Sequence, residues 1–189
     1  MNLDDLETLL KELDNLNLPK ESRYSVLVSQ IRSQLSRLGP NRDFSGLGTD
    51  DLMSITHDVA VLSAGLTDKV KQGGTTPMGV VRLSVPLLKE MVEALNQKIK
   101  LEDMNEPKDM NESESHYMKQ KKRYMGDIAR SLNVIRDSLD AWQTTSSNAH
   151  FFKNPQDPVK LKIEAEINEQ RNLIDSIEVA DPGRKLGQS

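Results

Sequence analysis

Three histidines, His57, His116 and His150, are the chain's candidates for proton transfer or metal ligation. Imidazole is the side chain whose ordinary titration lies near neutrality, and it is the commonest metal ligand. A helical metal site needs a second ligand about one turn away, as in H-E-x-x-H. None of the three histidines sits in that pattern or four residues from another histidine or a paired carboxylate of metal-site type, and His57 is followed only by Asp58. There is no cysteine. Disulfides and thiolate chemistry are therefore excluded, and zinc would have to rely on histidine and carboxylates. The glycines of "GLGTDD" and "KQGGTTPMG" resemble phosphate cradles only superficially. Neither follows a strand, and each fits a helix boundary. No G-x-S-x-G, G-x-x-x-x-G-K-S/T or G-x-G-x-x-G pattern occurs. The reading is non-enzymatic, with no catalytic residue, metal ligand or cofactor assigned.

The strongest candidate for an anion site is the run Lys119, Lys121, Lys122 and Arg123, four positive charges in five residues between Tyr117 and Tyr124. Such a cluster could touch phosphates or an acidic protein. It could equally be a solvated helical face that balances the acidic stretch before it. The chain as a whole carries a net charge of −4, so its global field does not attract nucleic acid or an anionic membrane. Nucleic acid is thus the secondary partner, and the alternative function is a nucleic-acid- or nucleocapsid-associated factor, with a viral origin among its readings, that works through this patch.

The other candidate is the seam Leu6, Leu9, Leu10 and Leu13 within "NLDDLETLLKELDNL". Its 3, 1 and 3 spacing puts all four leucines on one helical face, with acids around them. A narrow leucine seam can fill its own core or lie in a partner's groove. Deleting a buried leucine side chain typically costs about 2–5 kcal/mol. The segment Leu6-Glu7-Thr8-Leu9-Leu10-Lys11-Glu12-Leu13 resembles the leucine-aspartate docking motif of the paxillin family, Leu-Asp-x-Leu-Leu-x-x-Leu, with Glu7 where that motif has aspartate. The likeness covers eight residues and assigns the chain to no family. It implies a helix that docks in the groove of a helical bundle. The shortness of the connection through Pro19 favours packing of this helix within its own chain.

These residues have to be positioned by helices. Aromatics are only 4% of the chain, so leucine, isoleucine, valine and methionine must fill the core. A first helix is expected over about 3–16. A second runs from Pro19 to Leu38 on the stripe Tyr24, Leu27, Ile31, Leu35 and Leu38, before Gly39-Pro40. Thr49 caps a third, with Leu52, Ile55, Val59, Leu62, Leu66 and Val70 on its stripe. "GVVRLSV" is read as helix or irregular connection. Pro86 then starts or kinks a fourth helix carrying Leu87, Leu88, Met91, Leu95 and Ile99. A fifth begins near Ser115 on Tyr117, Tyr124, Ile128, Leu132, Ile135, Leu139 and Trp142, a stripe that Lys121 interrupts. Asp157-Pro158 opens the last, with Val159, Ile163, Ile167, Ile174 and Ile177, and Gln170 in register.

Residues 102–115 hold six acids and one lysine and read as an acidic, mobile linker. The expected organisation is an N-terminal helical part over 1–101, this linker, C-terminal long helices over 116–180 packed on the first part, and a loose tail over 181–189. The fold class is all-α, an antiparallel bundle of five or six helices. The function expected is a non-catalytic adaptor or assembly subunit that binds a protein partner by helix docking, with possible self-association through the fifth or last helix. No stretch is apolar enough to span a membrane and no signal peptide is evident, so an intracellular, cytoplasmic location is expected.

Overall fold

The structure, a computed structural model, describes residues 3–14, 23–37, 47–68, 78–105, 112–148 and 157–180. Among them are six helices and no strand: α1 (Leu3–Asp14), α2 (Arg23–Ser36), α3 (Thr49–Asp68), α4 (Met78–Asn105), α5 (Glu112–Asn148) and α6 (Pro158–Asp175). The chain is an all-α bundle. Cross-helix pairs fix the directions. Gln34 meets Ser54, Glu102 meets Lys121, and Arg171 meets Asp140 while Asp175 meets Arg136, so α2 and α3, α4 and α5, and α5 and α6 run antiparallel. His57 against Asp127 sets α3 parallel to α5, and Arg82 against Glu166 with Asn96 against Glu178 sets α4 parallel to α6.

α3 is the central helix. It packs against α2, α4 and α5, and it buries residues on almost every side, from Leu52 and Ile55 to Asp58, Ser63 and Thr67. Its first turn carries Asp50 and Asp51, where the helix dipole favours negative charge. The sequence suggested Thr49 as the cap. The first helical bond instead runs from the Leu52 N–H to the Gly48 carbonyl, 2.9 Å, which leaves Thr49 inside the helix. α6 opens as its sequence requires. Asp157 caps it, its carboxylate accepting from the Val159 N–H at 2.9 Å, and Pro158 follows where no helical donor is needed.

The "GVVRLSV" stretch is helical. α4 runs unbroken from Met78 with Pro86 inside it. Proline removes the donor that the residue 82 carbonyl would use. Complete burial of Val81, Val85, Leu88, Met91, Val92 and Leu95 holds the helix through that gap. One apolar cluster runs through all six helices, so residues from both halves of the chain share a core.

The acidic linker is shorter than the sequence suggested. Residues 102–105 are the last turn of α4, and 112–115 the first turn of α5. Two causes are visible. Glu102 is engaged by Lys121, and acids at 112 and 114 suit a helix N-terminus. The remaining stretch, 106–111, lies outside the described residues, as do Phe151-Phe152 and the tail 181–189. α5 also extends to Asn148, six residues beyond Trp142, the last residue of its expected stripe.

Candidate functional site

The leucine seam faces inward. Leu6, Leu9, Leu10 and Leu13 are 0–3% exposed and belong to the common core. α1 rests chiefly on α4. Burying four leucines contributes about 6–12 kcal/mol gross, at roughly 1.5–3 kcal/mol each. Asp4, Asp5, Thr8, Lys11, Glu12 and Asp14 form the exposed outer face. Beyond the seam, Asp14 pairs with Arg32 of α2 at 2.5 Å, with both side chains about half exposed. Exposed pairs of this kind contribute about 0–1 kcal/mol. The leucines therefore hold α1 in place.

The basic run divides. Lys119, Lys122 and Arg123 are exposed on α5, but Lys121 is 4% exposed. This is a correction to the four-residue patch. The physical reason was present in the sequence, since Lys121 stands at an inward position of the α5 stripe. Its ammonium donates to Glu102 Oε2 at 2.6 Å, across the α4–α5 seam. Burial alone would raise the Glu102 carboxyl. The hydrogen bonds from Lys121 and Thr49, with the charges of Lys121 and Lys98, hold it below its ordinary value instead. This pair thus ties together the start of α3, the end of α4 and the third turn of α5.

A polar furrow between α2, α3 and α5 was not foreseen. One cleft of about 350 Å³ is lined by Gln30, Ser33 and Gln34 of α2 with Arg37 just after it, Ser54, His57 and Asp58 of α3, and Tyr124 of α5. A second, about 230 Å³, adjoins it at Ser54 and Tyr124 and reaches Lys121. In the wall, His57 Nδ1 lies 3.2 Å from Asp58 Oδ1 and Nε2 lies 3.3 Å from Asp127 Oδ2. The imidazole meets the Tyr124 ring edge to face, with centroids 5.0 Å apart. Arg130 in turn holds Asp127. His57-Asp58 was legible as a pair, but Asp127 is 70 residues on and nothing in the sequence links them.

This wall is built for cohesion between α3 and α5. Both ring nitrogens of His57 face carboxylates, and Ser54 Oγ accepts from Gln34 Nε2 at 2.7 Å. No nucleophile is hydrogen-bonded to His57 among the described residues. Nor do any three histidine or carboxylate side chains among them gather closely enough to hold a metal ion. No helix of the described residues is long and apolar enough to cross a membrane. Among the described residues the exposed large apolar side chains are few: Val26 on α2, Leu101 near the end of α4, and Val159 and Leu161 at the start of α6. The chain matches no protein-family profile, no curated protein and no solved structure.

Proposed function

We propose that the protein is a non-catalytic adaptor or assembly subunit that recognises partner proteins helix to helix. The supporting observation is the α1–α4 contact. A short amphipathic helix lies on the bundle through four buried leucines, with its polar face outward. That is helix-in-groove recognition carried out within one chain. A partner helix with a similar seam would meet the same surface in place of α1. The test is competition. Proteins captured by the immobilised full chain should be displaced by a peptide spanning residues 2–16, and should resist about 0.5 M salt, because apolar docking releases few counterions. Capture that the peptide leaves untouched would overturn this reading.

A second reading, an anion-binding or nucleic-acid-associated factor, draws on the exposure of Lys119, Lys122 and Arg123, for which no ion pair occurs among the described residues. With Lys121 neutralised by Glu102, at most three of the four cations can meet phosphate. Binding should then fall with salt at a log–log slope no steeper than about −3.

A further inference from the structure

The furrow keeps polar groups that the bundle itself leaves unmet. Gln34 gives its amide Nε2 to Ser54 Oγ, but its Oε1 is buried and meets no donor among the described residues. A buried acceptor in that state costs free energy until a donor reaches it. Asp58 is 8% exposed, and the His57 ring is the one donor it meets among the described residues. A neutral imidazole has one N–H to divide between Asp58 and Asp127, whereas a carboxylate has room for several donors. Gln34 and Asp58 line one cleft with Arg37, whose guanidinium has no ion pair or hydrogen-bond partner among the described residues.

Helix register sets the spacing of these groups. Gln34 stands level with Ser54, and α2 runs antiparallel to α3. Arg37 therefore lies about one turn before Ser54 along the α3 axis and Asp58 about one turn after it, about 10 Å apart in all. Arg37 also borders a small neighbouring cleft with Asp51 and Ile55, which agrees with that placement. Hydrogen bonds to a ligand at the two ends take up about 6 Å of the span. A short methylene chain fills the rest, and the Tyr124 ring in the same cleft offers it apolar surface.

The geometry points to a binding site for an ω-amino acid, with its ammonium between Asp58 and Gln34 Oε1 and its carboxylate on Arg37. An ammonium carries three N–H donors for the open oxygens, and the guanidinium presents a fork that fits a carboxylate. A phosphate group suits the cleft poorly, because the Asp58 carboxylate would face it. Such a site is independent of helix docking and of the leucine seam.

The probes are γ-aminobutyrate and δ-aminovalerate, with butylamine, butyrate and glycine as controls, all against the full chain. Calorimetry should give a dissociation constant of about 1 mM or tighter for the better probe. The Gln34 side-chain amide should shift in nitrogen-edited NMR as binding saturates. Butylamine and butyrate each lack one charge, and glycine is too short to span the cleft, so all three should bind at least about tenfold more weakly. Arg37→Gln should lower the affinity for the better probe to that for butylamine, a loss of about tenfold or more, and Asp58→Asn should lower it as far. Arg37 is exposed, so its variant decides the matter where Asp58→Asn fails to fold. The site is overturned by the absence of saturable binding of both probes below about 10 mM, by any control that binds as tightly as the better probe, or by an affinity that Arg37→Gln leaves unchanged.

Discussion

Replacing Glu102 by Gln and replacing Lys121 by Met should have very different effects, although each removes the same ion pair. The two ends of the pair are unequally buried. The Lys121 side chain is 5% exposed and the Glu102 side chain 36%. Glu102→Gln leaves an ammonium in the core with a neutral partner. Breaking a fully buried pair from one side costs about 3–5 kcal/mol. Partial exposure of the carboxylate screens the attraction, and the glutamine carbonyl can still accept, so the expected loss is about 2 kcal/mol. Lys121→Met leaves Glu102 instead, which is open enough to be hydrated, and puts a flexible apolar side chain at an inward position of the α5 stripe. Its expected effect is within about 1 kcal/mol of zero. Urea unfolding measures both, as shifts of midpoint at constant slope. The double variant should resemble Lys121→Met alone. The pair also makes stability depend on pH. The folded carboxyl titrates below its ordinary value of 4.5, so on acidification the unfolded chain takes up the proton first. The contribution is complete above that ordinary value, drains as pH falls through the folded one, and should be missing from Glu102→Gln. Equal losses for Glu102→Gln and Lys121→Met would refute the assignment of the cost to a buried ammonium that has lost the Glu102 carboxylate.

Three further outcomes are expected. Leu10→Ala and Leu13→Ala should each destabilise the chain by about 2–5 kcal/mol in the same urea assay, and a loss under 1 kcal/mol would mean that α1 lies loosely on α4. Gly65→Ala should cost about 1–3 kcal/mol despite alanine's better helix propensity, because its Cβ would lie 2.5 Å from Tyr24 Cε1; in a Tyr24→Ala background the cost should vanish, and its persistence there would exclude the ring as the cause. Asn96→Ala should free the segment after α6, since the Asn96 amide donates to the Glu178 carbonyl at 2.7 Å and accepts from the Ala180 N–H at 3.2 Å; amide exchange at Ala180 should quicken about tenfold, for a loss near 1.4 kcal/mol, while exchange in α3 stays unchanged.

The helices and their inward faces were legible because they depend on local periodicity. The stripes of α2 to α6 put Ile31, Leu52, Val59, Leu88, Leu95, Ile128, Ile135 and Ile167 in the core, where all are fully buried or within 1% of it. The boundaries near the acidic stretch were misread for a physical reason. Charge density signals solvation only when the charges lack partners, and Glu102 has its partner 19 residues away. Lys121 shows the same limit from the other side. Its register pointed inward while its type pointed outward, and the register prevailed because Glu102 met it. The furrow wall was invisible in the sequence, since His57, Asp127 and Gln34 come together only through the parallel packing of α3 on α5 and the antiparallel packing of α2 on α3.

The leucine seam raises a different question, because core and docking face are not physically distinct categories. What separates them is the stability of the contact against its alternatives. α1 buries one face against the bundle, whereas α3 is buried on almost every side, so the hold on α1 is weaker than that on α3. α1 should therefore be the first element to open. Amide exchange within α1 should report a lower opening free energy than exchange in α3. Equal protection of α1 and α3 would place α1 among the inseparable parts of the core.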